Sequence, residues 1–276
     1  MSGFICLYSR AVAIPITAPD DARLADYRRL KERHLNAEGS RFVAESERVV
    51  RRLLASGLPV RSVLVTPPRL AAMSDVLPRE GAGAGAFPVY MASQAVMDGI
   101  AGFHVHRGCL AIGERPPSRP SPAGARVVVA VEDLVDVDNL GAIARNAAAF
   151  GAGALLLSPR SADPFYRKAI RVSLGSVFSL PIVRLARWPD DLTALRDQHG
   201  FSLVGAVLRD DATPLDQLPP PAKTVLLLGA EGPGLSAAAI AACDTLVTIP
   251  MAPGADSLNV ATAGAVLLYH LTRAAP

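Results

Sequence analysis

Cysteine is scarce in this chain: Cys6, Cys109 and Cys243 are the three in 276 residues. They are odd in number and far apart, with no CxxC pair and no His at zinc-ligand spacing. Neither a disulfide framework nor a structural metal is expected, and a reducing cytoplasm is the expected compartment. Also missing is any uninterrupted apolar run near the roughly 20 residues that a membrane helix needs. The mildly apolar start, MSGFICLYSRAVAIPITAPDD, carries Arg10 in its middle and lacks a basic leader, so residues 1–20 read as an irregular arm rather than a signal peptide. No Walker loop occurs, because no Lys followed by Ser or Thr comes after the glycines of Leu228-Gly-Ala-Glu-Gly-Pro-Gly-Leu235. Gly151-Ala-Gly153 follows a helix-like segment, where the dinucleotide fingerprint does not belong. A nucleotide-dependent enzyme with a Rossmann domain is thereby disfavoured.

A dominant charge sign is absent as well, the net charge being +3, but the charge is uneven. Residues 1–120 hold 16 Lys and Arg against 11 Asp and Glu, and residues 121–276 hold 12 against 14. A basic half beside a slightly acidic one suggests that the first half meets a polyanion; a solvated helix face explains the same charges.

What is present is a composition that is 50% hydrophobic and 19% charged, enough to bury a large core in one big domain or two ordinary ones. The tract GERPPSRPSPAGA, 113–125, contains Pro116, Pro117, Pro120 and Pro122 and reads as a stiff linker. The tract GAGAGAFP, 81–88, reads as a loop within the first domain. The chain therefore divides into an arm, 1–20, a small α/β domain, 21–112, the linker, 113–125, and a second domain, 126–276.

In the first domain, residues 23–57 alternate basic and apolar positions at helical spacing and are expected to be helical, with RSVLVTP and FPVYMAS as short strands. Arg28, Arg29, Lys31, Arg33, Arg48, Arg51 and Arg52 are presented by this segment, and Phe103-His-Val-His-Arg107 adds rings and cations. Arg28, Arg29, Arg33, Arg48, Arg52 and Arg107 are the candidates for RNA binding, against the alternative of a plain surface face. In the second domain, strand-like runs at 127–132, 154–159, 180–185, 201–207, 224–229 and 245–250 alternate with helix-like segments at 139–150, 164–173, 189–198, 235–242 and 258–272. Runs apolar on both faces and separated by helices indicate a mainly parallel sheet covered on both sides. Ligands bind such sheets outside the C-terminal ends of the strands.

Three strand-to-helix junctions there are unusual. In the first, Asn139 can cap a helix on which Arg145 follows six residues later, with Gly141-Ala-Ile between them. The second is the glycine-rich turn Gly229-Ala-Glu-Gly with Gly234-Leu, and the third is Ile249-Pro-Met followed by Ser257-Leu-Asn-Val and Ala263. Taken singly, each has a bland reading: a snorkelling arginine, a tight turn, a connector. In this order and spacing, over about 150 residues, they resemble the three motifs of the SpoU (TrmH-type) RNA ribose methyltransferases of the SPOUT superfamily. The first 120 residues more loosely resemble the substrate-binding domain of the longer members, which modify ribosomal RNA.

The resemblance implies an α/β fold whose C-terminal domain is a SPOUT-type, mainly parallel sheet with a deep trefoil knot, beside a smaller N-terminal α/β RNA-binding domain. It implies S-adenosylmethionine as cofactor, held by Gly229, Ile249 and Leu258 with Leu228 and Met251 as walls, and no metal. Arg145, Asn139, Ser257, Asn259 and Glu231 become the expected catalytic residues, and the family works as homodimers through this domain. Methyl transfer to a ribose 2′-hydroxyl of RNA, ribosomal RNA favoured, is the expected function. A transfer-RNA methyltransferase and a non-catalytic ribosome assembly factor are the alternatives. Ser173 and Ser176 fall where relatives carry a Ser-x-Gly segment, although helix termination by Gly175 explains them equally. Ala230 stands where a Ser is common, and Ala261-Thr-Ala263 replaces a frequent Ser-Val-Ala, all small residues compatible with close packing.

Overall fold

The computed structural model describes residues 13–28, 40–79, 87–116 and 122–273. Arg29, Lys31, Arg33, the GAGAGA portion of the glycine tract and residues 117–121 of the proline tract lie outside them. The chain divides into two compact units, Met1–Pro116 and Pro117–Pro276.

The first unit holds a five-stranded sheet in the order β1-β4-β3-β5-β2, built from Ile14–Ile16 (β1), Arg41–Glu45 (β2), Val60–Val65 (β3), Val89–Ala92 (β4) and Cys109–Glu114 (β5). β1, β4 and β3 run parallel, while β5 lies antiparallel to both β3 and β2. Two sequence readings fail here. Ile14–Ile16, assigned to an irregular arm, is a strand paired with Tyr90–Ala92; its proline is tolerated because β1 is an edge strand. The continuous helical reading of 23–57 is broken by β2, whose Phe42, Val43 and Ala44 are all buried. β5 supplies backbone partners along the whole of β2, and that long-range pairing overrides a helix-like spacing of charges. Helical structure resumes at Glu47–Ala55 (α1), followed by Pro67–Ala72 (α2) and Gln94–Ala101 (α3). Val49, Val50 and Leu53 turn one face of α1 into the core. Each contributes about 1.5–3 kcal/mol by burial and leaves the arginines of α1 on the opposite side.

The second unit is a seven-stranded, all-parallel sheet in the order β10-β12-β9-β11-β6-β7-β8. Its strands are Val127–Val131 (β6), Leu155–Leu157 (β7), Ile182–Arg184 (β8), Ser202–Ala206 (β9), Thr213–Pro214 (β10), Thr224–Leu228 (β11) and Thr245–Thr248 (β12). Every residue of the central pair, β6 and β11, is buried, as helices on both faces require. The helices are Val137–Ala149 (α4), Arg167–Val172 (α5), Asp190–His199 (α6), Ala237–Ala242 (α7) and Val260–Arg273 (α8). Gly141 lets α4 approach α5 closely: a Cβ there would lie 2.8 Å from the Ala169 carbonyl oxygen. The sheet directs the C-terminal ends of β9, β11 and β12, strands adjacent in order, toward one side, and their loops gather there.

Candidate active site

The loop that leaves β11 is fixed by glycine. A Cβ on Gly229 would lie 2.2 Å from the Gly234 carbonyl carbon and 2.3 Å from the Leu235 nitrogen, so no other residue fits. Gly232 and Gly234 take φ of 85° and 71°, a region that side chains disfavour, and the Gly234 N–H donates to the Ala230 carbonyl at 3.0 Å. The turn folds flat against the strand end and holds up Glu231.

The segment leaving β12 ends in a helix cap. Asn259 Oδ1 accepts from the N–H groups of Ala261 at 2.9 Å and Thr262 at 3.3 Å, starting α8. The other end of the same amide reaches sideways: Nδ2 donates to Asn139 Oδ1 at 2.8 Å and stands 3.4 Å from Glu231 Oε1. Asn139 Nδ2 donates to that Glu231 oxygen at 2.6 Å, closing a triangle of three side chains from the three junctions. The Glu231 carboxylate thus receives amide donors from two separate loops and ties them together. Asn139 is not the cap that its position suggests. α4 begins one turn earlier, with Asp136 accepting from Asp138 N–H at 2.7 Å and Asn139 N–H at 3.0 Å, which frees the Asn139 side chain for the triangle.

Beside the triangle lies a cavity of about 620 Å³. Leu228, Gly229, Ile249, Met251 and Leu258, the five residues expected to hold the cofactor, all line it, as do Glu231, Ser257 and Asn259. It opens beyond the C-terminal ends of the parallel strands, where such sheets bind ligands. Apolar walls with backbone groups and the single carboxylate of Glu231 suit a nucleoside carrying a charged tail, and the volume fits one drug-sized molecule. The apolar walls and the Glu231 carboxylate match S-adenosylmethionine, an adenosine that carries a cationic sulfonium.

Arg145 is placed differently. It stands exposed on α4, about 1.7 turns beyond Asn139, is absent from the cavity wall, and has no partner among the described residues. Ser173 is withdrawn from any substrate: it is buried and its hydroxyl donates to the Ile170 carbonyl at 3.0 Å, closing α5 ahead of Gly175 at φ 80°. His104 is engaged by Asp98, with Nδ1 2.6 Å from the carboxylate. Arg28 donates to the Asp21 carbonyl at 2.8 Å, whereas Arg48, Arg52 and Arg107 share one concavity of the first unit. Among the described residues no group of three or more His, Cys, Asp or Glu could hold a metal ion.

One residue escaped the sequence reading. Glu132, at the exit of β6 and 5% exposed, accepts from Trp188 Nε1 at 2.7 Å and from the Ser236 N–H at 2.8 Å, while its own N–H donates to the Leu228 carbonyl at 2.9 Å. It therefore clasps the glycine turn at both ends. The signal for it is an acidic residue closing the apolar run VVVAVE, since a buried carboxylate must find donors.

Residues 126–269 match the SpoU rRNA Methylase family. An uncharacterized tRNA/rRNA methyltransferase of Mycobacterium tuberculosis is 42% identical over 266 residues, spanning 92% of this chain and 90% of its own. The 23S rRNA (guanosine(2553)-2′-O)-methyltransferase RlmP of Bacillus subtilis is 29% identical over 93% of this chain and 98% of its own. The AdoMet-bound rRNA methyltransferase of Sinorhizobium meliloti shares the architecture with a TM-score of 0.79 at 26% identity, covering 95% of this chain and 98% of that one. A parallel sheet carrying this glycine-built cavity defines an RNA methyltransferase of the SPOUT type, with S-adenosylmethionine as its cofactor. The chain belongs to the SpoU rRNA methylase family.

Proposed function

We propose that this protein methylates the 2′-hydroxyl of a ribose in ribosomal RNA, acting as a homodimer in the cytoplasm. The observation that carries the reading is the Asn139–Glu231–Asn259 triangle closed against the cavity wall, three polar groups from three loops held at a place where a ribose can meet a bound cofactor. Likeness to RlmP over nearly the whole of both chains supports ribosomal RNA as substrate and the 2′-oxygen as target. The trefoil knot of the family fold is part of the same reading.

S-adenosylmethionine supplies an electrophilic methyl group, so the chain's own task is to position the oxygen and tolerate its developing charge. Gly229, Ile249 and Leu258 hold the cofactor through backbone groups, with Leu228 and Met251 against its apolar parts. Ser257, at the cavity rim, orients the ribose. Asn139 and Asn259 fix Glu231 and with it the mouth of the cavity. Arg145 clamps the target's phosphate and stabilises negative charge growing on the oxygen; a guanidinium that stays protonated to about pH 12 and beyond is a poor base, and the proton leaves to water or phosphate.

The homodimer gives the exposed Arg145 its place. Val266 and Tyr269, 39% and 49% exposed, form an apolar strip on α8, and Tyr269 meets Phe150, the residue that caps the end of α4, edge-on at 6.2 Å, so a partner covering that strip also meets the end of α4. In this arrangement Arg145 of one protomer serves the cavity of its partner.

The test is incubation with labelled S-adenosylmethionine and ribosomal or transfer RNA, followed by alkaline hydrolysis. Because a 2′-O-methyl group blocks attack on the neighbouring phosphate, the expected label sits in an alkali-resistant dinucleotide of ribosomal RNA. Label on a base, or in transfer RNA instead, would overturn the target or the substrate. Arg145→Ala is expected to lower kcat by about 10²-fold or more with cofactor affinity unchanged, the magnitude for losing one charge-stabilising donor.

A further inference from the structure

The first unit contains a second concavity, of about 610 Å³, walled by Glu47, Arg48, Arg51, Arg52, Ala55, Arg69 and Arg107. Five guanidinium groups, one carboxylate and one methyl group make an unusual wall. Two of the arginines are locked. Arg51 donates through Nε to Glu47 Oε1 at 3.0 Å and forks onto the two Asp75 oxygens at 2.7 and 2.9 Å. Arg69 donates to Glu47 Oε2 at 2.8 Å and to the Arg107 carbonyl at 3.0 Å. Glu47 thus spends one oxygen on each, and its α1 is coupled to α2 and to the turn that carries Arg107.

Arg48 and Arg107 are not neutralised in this way. Their side chains are exposed and have no partner among the described residues, and Arg52 follows Arg48 by one helical turn on α1. Gathering like charges in a concave site is unfavourable unless an anion enters, because low-dielectric walls focus the positive potential there. The wall also indicates which anion. Ala55 is its sole apolar residue and no ring lines it, so it offers nothing for a base to stack on and none of the apolar surface that encloses a small nucleotide. Planar forks without stacking partners suit phosphate oxygens and read backbone rather than sequence.

We propose that this arginine groove is a backbone-binding site for the substrate RNA, Arg48 and Arg107 contacting phosphates directly and the latched Arg51 and Arg69 supplying a fixed field. The proposal rests on the RNA methyltransferase reading and adds to it where the RNA is gripped outside the catalytic cavity. An acidic protein surface is the competing occupant, and the test separates the two.

The experiment uses the full chain carrying Arg48→Ala and Arg107→Ala together, which leaves every Glu47 and Asp75 side-chain contact in place. Binding of the methyl-accepting ribosomal RNA is measured between about 50 and 200 mM salt, where each lost phosphate contact lowers the slope of log K against log salt by about 0.7–0.9. The expected result is a slope smaller by about 1.4–1.8 and a KM for RNA raised on the order of tenfold. At saturating RNA, kcat, cofactor affinity and melting temperature stay as in the wild type. The Arg48→Lys, Arg107→Lys chain keeps most of the slope, since charge rather than shape carries it. An unchanged slope and KM would overturn the groove while leaving methyl transfer intact, and would point to the acidic protein instead. A fall in cofactor affinity or melting temperature would also overturn it, by making these arginines structural. If the wild type binds RNA with the arginine-dependent slope yet never methylates it, the groove stands and the enzymatic reading falls.

Discussion

Asn259 uses both ends of one amide: its oxygen caps α8 and its nitrogen reaches Asn139 and Glu231. The two tasks can be separated by substitution. Asn259→Asp keeps an acceptor for the Ala261 and Thr262 amides but removes the donor and sets a second carboxylate against Glu231 Oε1. The expected outcome is a melting temperature near that of the wild type with kcat lowered on the order of tenfold, because the like charges force Glu231 out of the triangle. Asn259→Ala loses both tasks and is expected to be less stable by about 1 kcal/mol, the usual value of a helix cap. Thermal melts and single-turnover rates on the two variants check this. At this scale the sequence was informative about identity and poor about partnership. Asn139 looks like a cap because capping is a local relation, yet Asp136 holds that place, and the Asn139 amide is committed to residues 92 and 120 positions away.

The glycine turn after β11 is an element whose shape is made at one end and held at the other. Gly229 excludes any Cβ, and Glu132 then grips the flanks through the Leu228 carbonyl and the Ser236 amide. Both carboxylate oxygens of Glu132 face donors, so Glu132→Gln leaves one of them opposed by an amide N–H. A buried mismatch of this kind costs about 1–3 kcal/mol. The expected outcome is a lower melting temperature together with weaker S-adenosylmethionine binding, and a smaller change in kcat once the cofactor is saturating. Calorimetric titration of the cofactor beside a denaturant melt measures both. A loss of stability with normal cofactor affinity would show that Glu132 supports the sheet rather than the turn. Strand and helix positions in the second unit were legible because runs such as VVVAV and TVLLL announce buried parallel strands by length and composition. In the first unit, β1, β2 and β5 were not legible: a three-residue edge strand, a strand bounded by Arg41 and Glu45 and one that runs up to the proline tract carry too little periodicity of their own.

At the scale of the whole molecule, the proposed homodimer is what would bring Arg145, which lies outside the cavity of its own chain, to the chemistry. The dimer reading predicts that Tyr269→Asp, a charge on the exposed strip of α8, shifts the protein to monomer in analytical ultracentrifugation and abolishes methyl transfer while cofactor binding persists. It further predicts that Arg145→Ala and Asn259→Asp chains, each impaired alone, exceed the average of their separate activities when mixed, because one hybrid cavity then has every group intact. Failure of the mixture under conditions where the subunits exchange would assign Arg145 to its own protomer.

The sequence by itself determined the parallel sheet, the glycine turn and the uneven basic charge, since each is written in neighbouring residues or in composition, while the residues around the cavity were named through the resemblance to a family. The tertiary structure decided which of those residues meet. It chose Asp136 over Asn139 as cap, closed the Asn139–Glu231–Asn259 triangle, left Arg145 on the outside and brought Arg48 and Arg69 together with Arg107 in one groove. The physical reason is that local pattern fixes where a strand ends, whereas a contact between loops depends on which strands lie side by side. Strand order is set by pairing across the whole chain, and no stretch of sequence carries it alone.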